Sequence, residues 1–594
     1  MLRAALLAIA ALLAAPAAGK AAACPQGARC AKLNVPLDHS GRAPGALPLA
    51  YAVMPATGTS VGTIVFLSGG PGQSAIPLTR DVTALLDPLH LNHDIVFVDQ
   101  RGTGASGAVK CKAIDTPEQV AACAAKLGDK RPFLNTTETA LDLEDLRAAL
   151  GADKLTLLGV SYGTKVAGEY ARRFPQHTAG LVLDSPVPVE SLDGTFEMRQ
   201  LAMPRMLRDA CAKNPCRRSI PDPAGALRAA VLRLQRNPLK GPAVSETGRV
   251  KTGKVGEEAL YGTMLEGDAS PLVRLFLPAA VASLAKGDAA PMLHLLGLLA
   301  SGGGAGGQDD GINAARLLAT TCIESRLPWA PDAAVAGRTD AWHAYLAANA
   351  TPFAPFRAET VAPFSAASLC STWPPTPKPE GVPGAGPDVP VLVLSGRSDL
   401  RTPAEDARRI AAQYPHARVL SVPGVGHSVL TTDTSGCALK GVVAFVRGHS
   451  VASCHGGGLD LGAVEYQPAT PEALARTRLP GRAGRTLTGI RLTIQNVALD
   501  TLLGLALGGP SHTVRLPGLR AGHTTIKGDR IILQGVESFR GLSISGFIDS
   551  KRQVGRLAVS GPAASAGTLV LNGDAIAGAI GGYPVRASDF NSAG

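Results

Sequence analysis

The rhythm of hydrophobic and polar positions changes along the chain. From about residue 60 to 185, short apolar runs rich in β-branched residues recur: "GTIVFL", "DIVFVD", "KLTLLG" and "GLVLD". Runs without polar alternation are the pattern of strands buried on both faces of a parallel sheet. Between them "TTETALDLEDLRAALG" reads as a helix, capped by Thr137, acidic in its opening turns and ended by Gly151. Strands resume at "PVLVLSG" (390–396) and "ARVLSVPG" (417–424). Residues 24–186 and 381–460 are thus predicted to form an α/β core with a doubly wound sheet. The intervening stretch, 187–380, has helical spacing of Leu, Ala and Arg, as in "PAGALRAAVLRLQRN", and includes a glycine-rich loop, "GGGAGGQDDG". It is expected to form a helical lid over the carboxyl ends of the strands. From about 465 the period drops to two. "GRTLTGIRLTIQNVALD", "HTTIKGDRIILQGVESF", "GLSISGFID" and "AGTLVLNGD" alternate between Gly/Asp/Asn turns. They predict a C-terminal all-β domain, a sandwich or barrel over 487–594, after a linker at 461–486.

Composition narrows the setting. A chain of 594 residues with 45% hydrophobic and 18% charged residues can bury a large core. The formal charge of +11 is not gathered into a Lys/Arg block or interleaved with aromatics, so nucleic acid is not expected as a partner. Residues 1–23 read as a signal peptide: Arg3, an apolar "AALLAIAALLAA", and a small-residue cleavage region near 17–23. The run is short for a membrane span, and no later segment reads as transmembrane. "AAAC" ending at Cys24 makes lipidation a second choice, because Lys20 interrupts the apolar run. The ten cysteines form no CxxC pair, which argues against a zinc site. In an oxidising compartment they are expected to form disulfides, most simply between sequence neighbours. Those pairs are Cys24–Cys30, Cys111–Cys123, Cys211–Cys216, Cys322–Cys370 and Cys437–Cys454. The expected location is periplasmic or extracellular.

"GVSYG" (159–163) lies between a strand and a helix, the setting of a nucleophile elbow, with Ser161 at its tip. A serine nucleophile needs a base, and the base needs an orienting acid. Asp399 follows the strand "VLVLSG", and His427 follows the next strand in a glycine-rich loop, 28 residues later. Ser, Asp, His in that order, each just beyond a strand, predicts a catalytic triad. "FLSGGPGQSA" (66–75) lacks a GKS/GKT ending and a GxGxxG, which speaks against a phosphate loop. It suits an oxyanion hole, with donors assigned to the N–H groups of Gly70 and Tyr162. In "DQRGTGAS" (99–106) Arg101 is expected to brace loops and Ser106 to cap a helix.

"GGPG", "DQRGTGAS", "GVSYGT", "GRSDLRTP" and "GHS", in this order, resemble the secreted tripeptidyl aminopeptidases and their proline iminopeptidase relatives. The likeness covers roughly 30–460 and includes "TTETALDLEDLRAALG" and "CSTWP". It implies an α/β-hydrolase serine exopeptidase that acts on peptides with a free N-terminus through an acyl-enzyme, with no cofactor or metal. The family's nucleophile, acid and base fall on Ser161, Asp399 and His427. Ser68 stands where proline iminopeptidases usually have the His of HGGPG, as the tripeptidyl branch allows, and the β-domain is outside the common pattern. An acid in the lid would bind the substrate's amine; Glu324, beside Cys322 in "TTCIESRLP", is the candidate. Two other classes stay open: a carboxylesterase or lipase using the same triad, and an inactive binding protein whose function lies in the β-domain. The oligomeric state is not legible.

Overall fold

The computed structural model describes residues 24–591 except 112–113, 196, 302–310, 459–460 and 509–512. The signal peptide expected at 1–23 and most of the glycine-rich loop lie outside the described residues. Chain packing divides these residues into two compact units. One joins the stretches up to Met206 and from residue 311 to 458; the other joins Leu207–Ser301 with 461–591.

The first unit is built on eight strands: β1 (Arg29–Pro36), β2 (Ala46–Met54), β3 (Thr63–Leu67), β4 (Asp94–Val98), β5 (Leu155–Val160), β6 (Thr178–Asp184), β7 (Val391–Gly396) and β8 (Ala417–Val422). They lie in the order β1-β2-β4-β3-β5-β6-β7-β8. β2 runs antiparallel to β1 and β4, and every pairing from β4 to β8 is parallel. Alternate side chains of each strand are buried on opposite faces. Val65, Leu157, Leu183 and Val393 join one core cluster; Ile64, Leu158, Val182 and Leu392 join the other. That double burial is why the strands read as unbroken apolar runs. Helices α1 (Thr136–Ala149) and α2 (Tyr162–Arg173) contribute to the first cluster. α1 is capped by the Asn135 side chain, which accepts the Glu138 N–H at 2.8 Å, so the cap is two residues before the expected Thr137. β4 and β5 flank β3 on opposite sides, so the strand order reverses there. Loops after β3 and β5 therefore open a crevice at the carboxyl ends, where ligands bind in doubly wound sheets. A third helix, α3 (Ala314–Glu324), is tied by Cys322–Cys370 to the helix Ala366–Cys370.

The second unit contains a single antiparallel meander: β9 (Thr513–Pro517), β10 (Ala521–Lys527), β11 (Arg530–Phe539), β12 (Leu542–Asp549), β13 (Val554–Ser560), β14 (Gly567–Asn572), β15 (Ala575–Ile580) and β16 (Tyr583–Arg586). No pairing of its two edge strands is seen among the described residues, so the sheet stays open where a sandwich or barrel was expected. One face is covered by α4 (Gly481–Gly508), which occupies the sequence expected to form the first β-strand. Leu487, Ile490, Ile494 and Val497 of α4 share a core with Leu533, Ile544, Leu557 and Leu569 of the sheet. Two of its β-branched hydroxyls are satisfied inside the helix: Thr493 and Thr501 donate to the carbonyls four residues back, at 2.8 and 2.7 Å.

The insertion does not form the single lid expected over 187–380. Its helices Pro223–Arg236, Pro271–Ala285 and Ala290–Ser301 belong with α4 and the meander. His294 Nε2 lies 3.0 Å from Asp500 Oδ1 of α4, and Asp288 pairs with Arg520. The segment expected as a linker is packed too. Val464 N–H donates to Leu275 O at 2.8 Å, and Lys286 Nζ lies 3.6 Å above the Tyr466 ring. Apolar Ala463 and aromatic Tyr466 gain more from burial there than a free linker would.

Candidate active site

Ser161 directly follows β5 with φ +54°, a left-handed conformation that costs a non-glycine residue of order 1–3 kcal/mol. The turn is held by the Ser161 N–H, which donates to Asp184 O at 2.8 Å, and by the Thr164 N–H, which donates back to Ser161 O at 2.9 Å. Both flanking glycines are required. A Cβ on Gly159 would fall 2.5 Å from Gly163 O, and one on Gly163 would fall 2.2 Å from Leu67 O. Tyr162 opens α2, and its N–H is one of the four at a helix start that have no acceptor within the helix.

Asp399 and His427 leave β7 and β8 on adjacent loops. His427 Nδ1 and Asp399 Oδ2 are 3.1 Å apart. Asp399 is fully buried and also accepts from the N–H groups of Arg401 and Thr402 at 2.9 and 2.8 Å and from Thr402 Oγ1 at 2.6 Å. Burial alone would raise its pKa, but His427 and the Thr402 hydrogen bonds together hold the carboxyl below its ordinary value. Ser161 and His427 line one cavity of about 510 Å³. Its wall includes Gly69, Gly70 and Tyr162 and, from the α3 region and the segment that follows, Ile312, Leu318 and Phe364.

The loop after β3 is stiffened from below. Asp99 accepts the N–H groups of Ala75 and Ile76 at 2.9 and 3.0 Å, and Gln100 Nε2 donates to Ser68 O at 2.9 Å. Arg101 braces its surroundings as expected, with two hydrogen bonds to Asp142 and others to Pro36 O, Leu37 O and Phe133 O. Ser106 does not cap a helix. Its hydroxyl donates to Asp99 O and accepts the Ala50 N–H, which closes the turn onto β2.

Glu324 is not among the residues lining this cavity. It is buried, accepts the Thr136 N–H at 2.5 Å and the Thr136 hydroxyl at 2.6 Å, and lies 3.4 Å from Lys165 Nζ. A carboxylate with these partners does not present itself to a substrate amine. The carboxylates that do line the cavity are Asp193 and Asp406. The ten cysteines form five disulfides between sequence neighbours: 24–30, 111–123, 211–216, 322–370 and 437–454.

One clamp was not singled out from sequence. Asp184, at the end of β6, accepts the N–H groups of Val429 and Leu430 at 2.8 and 2.9 Å, and Ser185 Oγ accepts the Ser428 N–H at 3.0 Å. Ser185 and Ser428 both have positive φ. Together these bonds fix the backbone just after His427. Full burial pushes the Asp184 carboxyl up to about 6, although Leu430 and Val429 donate to it. The only sequence signal was an acid at the carboxyl end of a buried strand.

No helix among the described residues is long and apolar enough to cross a membrane. Residues 62–262 match the family described as "alpha/beta hydrolase fold", and residues 355–453 match that described as "TAP-like protein". Serine protease Hip1 of Mycobacterium tuberculosis is 32% identical over 280 residues, covering 41% of this chain and 53% of that protein. Tripeptidyl aminopeptidase of Streptomyces lividans is 32% identical over 193 residues, covering 27% of this chain and 36% of that protein. Carboxylesterase B of M. tuberculosis is 28% identical over 455 residues, covering 68% and 81%. The chain spans about half the length of the first of these relatives and about a third of the second. With its strand order, its elbow and these matches, the chain has the α/β-hydrolase fold with a TAP-like segment, and is similar to serine proteases and tripeptidyl aminopeptidases that share them.

Proposed function

We propose that the protein is an exported serine exopeptidase that removes a short peptide or a single residue from free N-termini. The observation that supports this most is Ser161, on a strained elbow, facing the same cavity as a His427 ring oriented by a buried Asp399. In this reading Ser161 Oγ attacks the scissile carbonyl as His427 Nε2 takes its proton. Asp399 keeps the other ring nitrogen protonated and stabilises the imidazolium. The N–H groups of Tyr162 and Gly70 receive the developing oxyanion, an effect of about 3 kcal/mol per donor. His427 returns the proton to the leaving amine, and water then releases the acyl group from Ser161. The substrate's ammonium is read by Asp193 and Asp406 in the cavity wall, since Glu324 is engaged elsewhere. Five disulfides suit an oxidising, extracytoplasmic location.

A second reading, a carboxylesterase on the same triad, is favoured by the longer match to carboxylesterase B. The two readings separate on chromogenic Pro-, Ala-, dipeptidyl and tripeptidyl amides, each with a free or acetylated N-terminus, beside a short-chain ester. Cleavage of free but not acetylated amides, abolished in Ser161→Ala, is expected. Ester turnover without amide turnover would make the protein an esterase. Turnover that survives Ser161→Ala would dismiss both readings.

A further inference from the structure

The Tyr162 hydroxyl enters a buried polar chain that the triad does not use. Arg316 Nη2 donates to it at 3.0 Å, and also to Thr139 Oγ1 at 3.0 Å and Asn135 O at 3.3 Å. Thr136 Oγ1 lies 2.9 Å from Tyr162 Oη and 2.6 Å from Glu324 Oε2. A guanidinium only donates and a carboxylate only accepts, so a single arrangement of protons fits. Arg316 gives to the phenol, the phenol gives to Thr136, and Thr136 gives to Glu324. Burial pushes the phenol up to about 12, so it stays neutral and keeps both roles. Lys165, one turn into α2, closes the chain on Glu324 at 3.4 Å. Arg316 and Glu324 both come from α3, the helix anchored by Cys322–Cys370. Arg316, Tyr162, Thr136 and Glu324 are all buried.

We propose that Arg316, Thr136 and Glu324 are positioning residues that act through the Tyr162 hydroxyl. They fix the first turn of α2 and so aim the Tyr162 N–H at the oxyanion. The proposal rests on the reading of Ser161 as nucleophile and of the Tyr162 N–H as an oxyanion donor. Its physical basis is tolerance: such a donor must lie about 2.7–3.1 Å from the oxyanion, and a shift of about 1 Å costs on the order of a hundredfold. The Ser161 backbone just before it is strained, so its geometry persists only while the surrounding contacts hold it. Without the phenol oxygen, Arg316 also loses an acceptor, in a guanidinium whose Nε and Nη1 already have no partner among the described residues.

The test measures the rate of covalent labelling of Ser161 by an aryl fluorophosphonate, whose phosphoryl oxygen occupies the oxyanion position, together with kcat and KM on the best peptide amide. Tyr162→Phe is expected to slow labelling at least about tenfold and to lower kcat similarly, with KM within about twofold. Glu324→Gln, which keeps the shape and one acceptor, should retain more of the rate than Glu324→Ala. Thermal unfolding of each variant separates misfolding from misaiming. A folded Tyr162→Phe that labels at the wild-type rate overturns the proposal. Should Tyr162→Phe not fold, unchanged labelling in both Glu324→Gln and Arg316→Lys does so. A wild-type protein that is not labelled at Ser161 removes the underlying reading and the proposal with it, an outcome distinct from the other two.

Discussion

Asp184 and Asp399 are both fully buried carboxyls beside His427, and their pKa values are shifted in opposite directions. Asp399 is held below its ordinary value and stays ionised wherever His427 works as a base. Asp184, at about 6, lies above the ordinary 3.8, so the folded chain binds its proton more tightly than the unfolded chain. Its contribution to stability is therefore greatest below about pH 4 and declines until about pH 6, a loss of about 3 kcal/mol. The thermal midpoint of the wild type should show that decline, and Asp184→Asn should lack this part of the slope. An identical slope in the variant would assign the titration to another group. Ser161, Asp399 and His427 could be singled out because each follows a recognisable strand in a glycine-marked turn. Their supports could not. Ser185 and Arg316 make contacts with residues far away in the chain, and no local pattern encodes such contacts. Glu324 was legible as an acid beside a lid cysteine, but its partners Thr136 and Lys165 were not, and they changed its role.

At the scale of elements, the elbow depends on two backbones passing within van der Waals distance. α2 crosses β3 so closely that Gly163 has no room for a methyl group: its Cβ would lie 2.2 Å from a main-chain oxygen that cannot rotate away. Gly163→Ala is thus expected to destabilise the protein by several kcal/mol and to lower its soluble yield. A thermal midpoint within a degree or two of the wild type would show that the crossing relaxes. The parallel strands were readable because burial on both faces leaves one continuous signal. α4 was misread for a related reason. It is covered on one side by the meander and on another by the insertion helices, so apolar residues lie all round it and its 3.6-residue period is masked. Its many Thr and Ile residues then suggested a strand, and tertiary packing overrode that local preference.

At the scale of the molecule, the last quarter of the chain completes a core begun by the insertion. The helices Pro271–Ala285 and Ala290–Ser301 are buried along most of their length, and α4 and the residues before it provide part of that cover. Truncation after residue 458 should leave these helices exposed. The shortened chain is expected to bind a hydrophobic dye and to elute as aggregates in size-exclusion chromatography. A monodisperse, dye-negative chain would show that the helices are stable without the C-terminal segment. The domain plan drawn from sequence had separated these stretches because nothing in either one announces its partner.

The same discontinuity sets a schedule for synthesis. About 160 residues separate Ser301 from the start of the segment that covers it. At roughly 5–20 residues per second, the insertion helices wait about 8–30 s after leaving the ribosome before that cover begins to emerge. During that interval their apolar faces have no native partner, and a cell making this protein must keep them from finding one another on neighbouring chains.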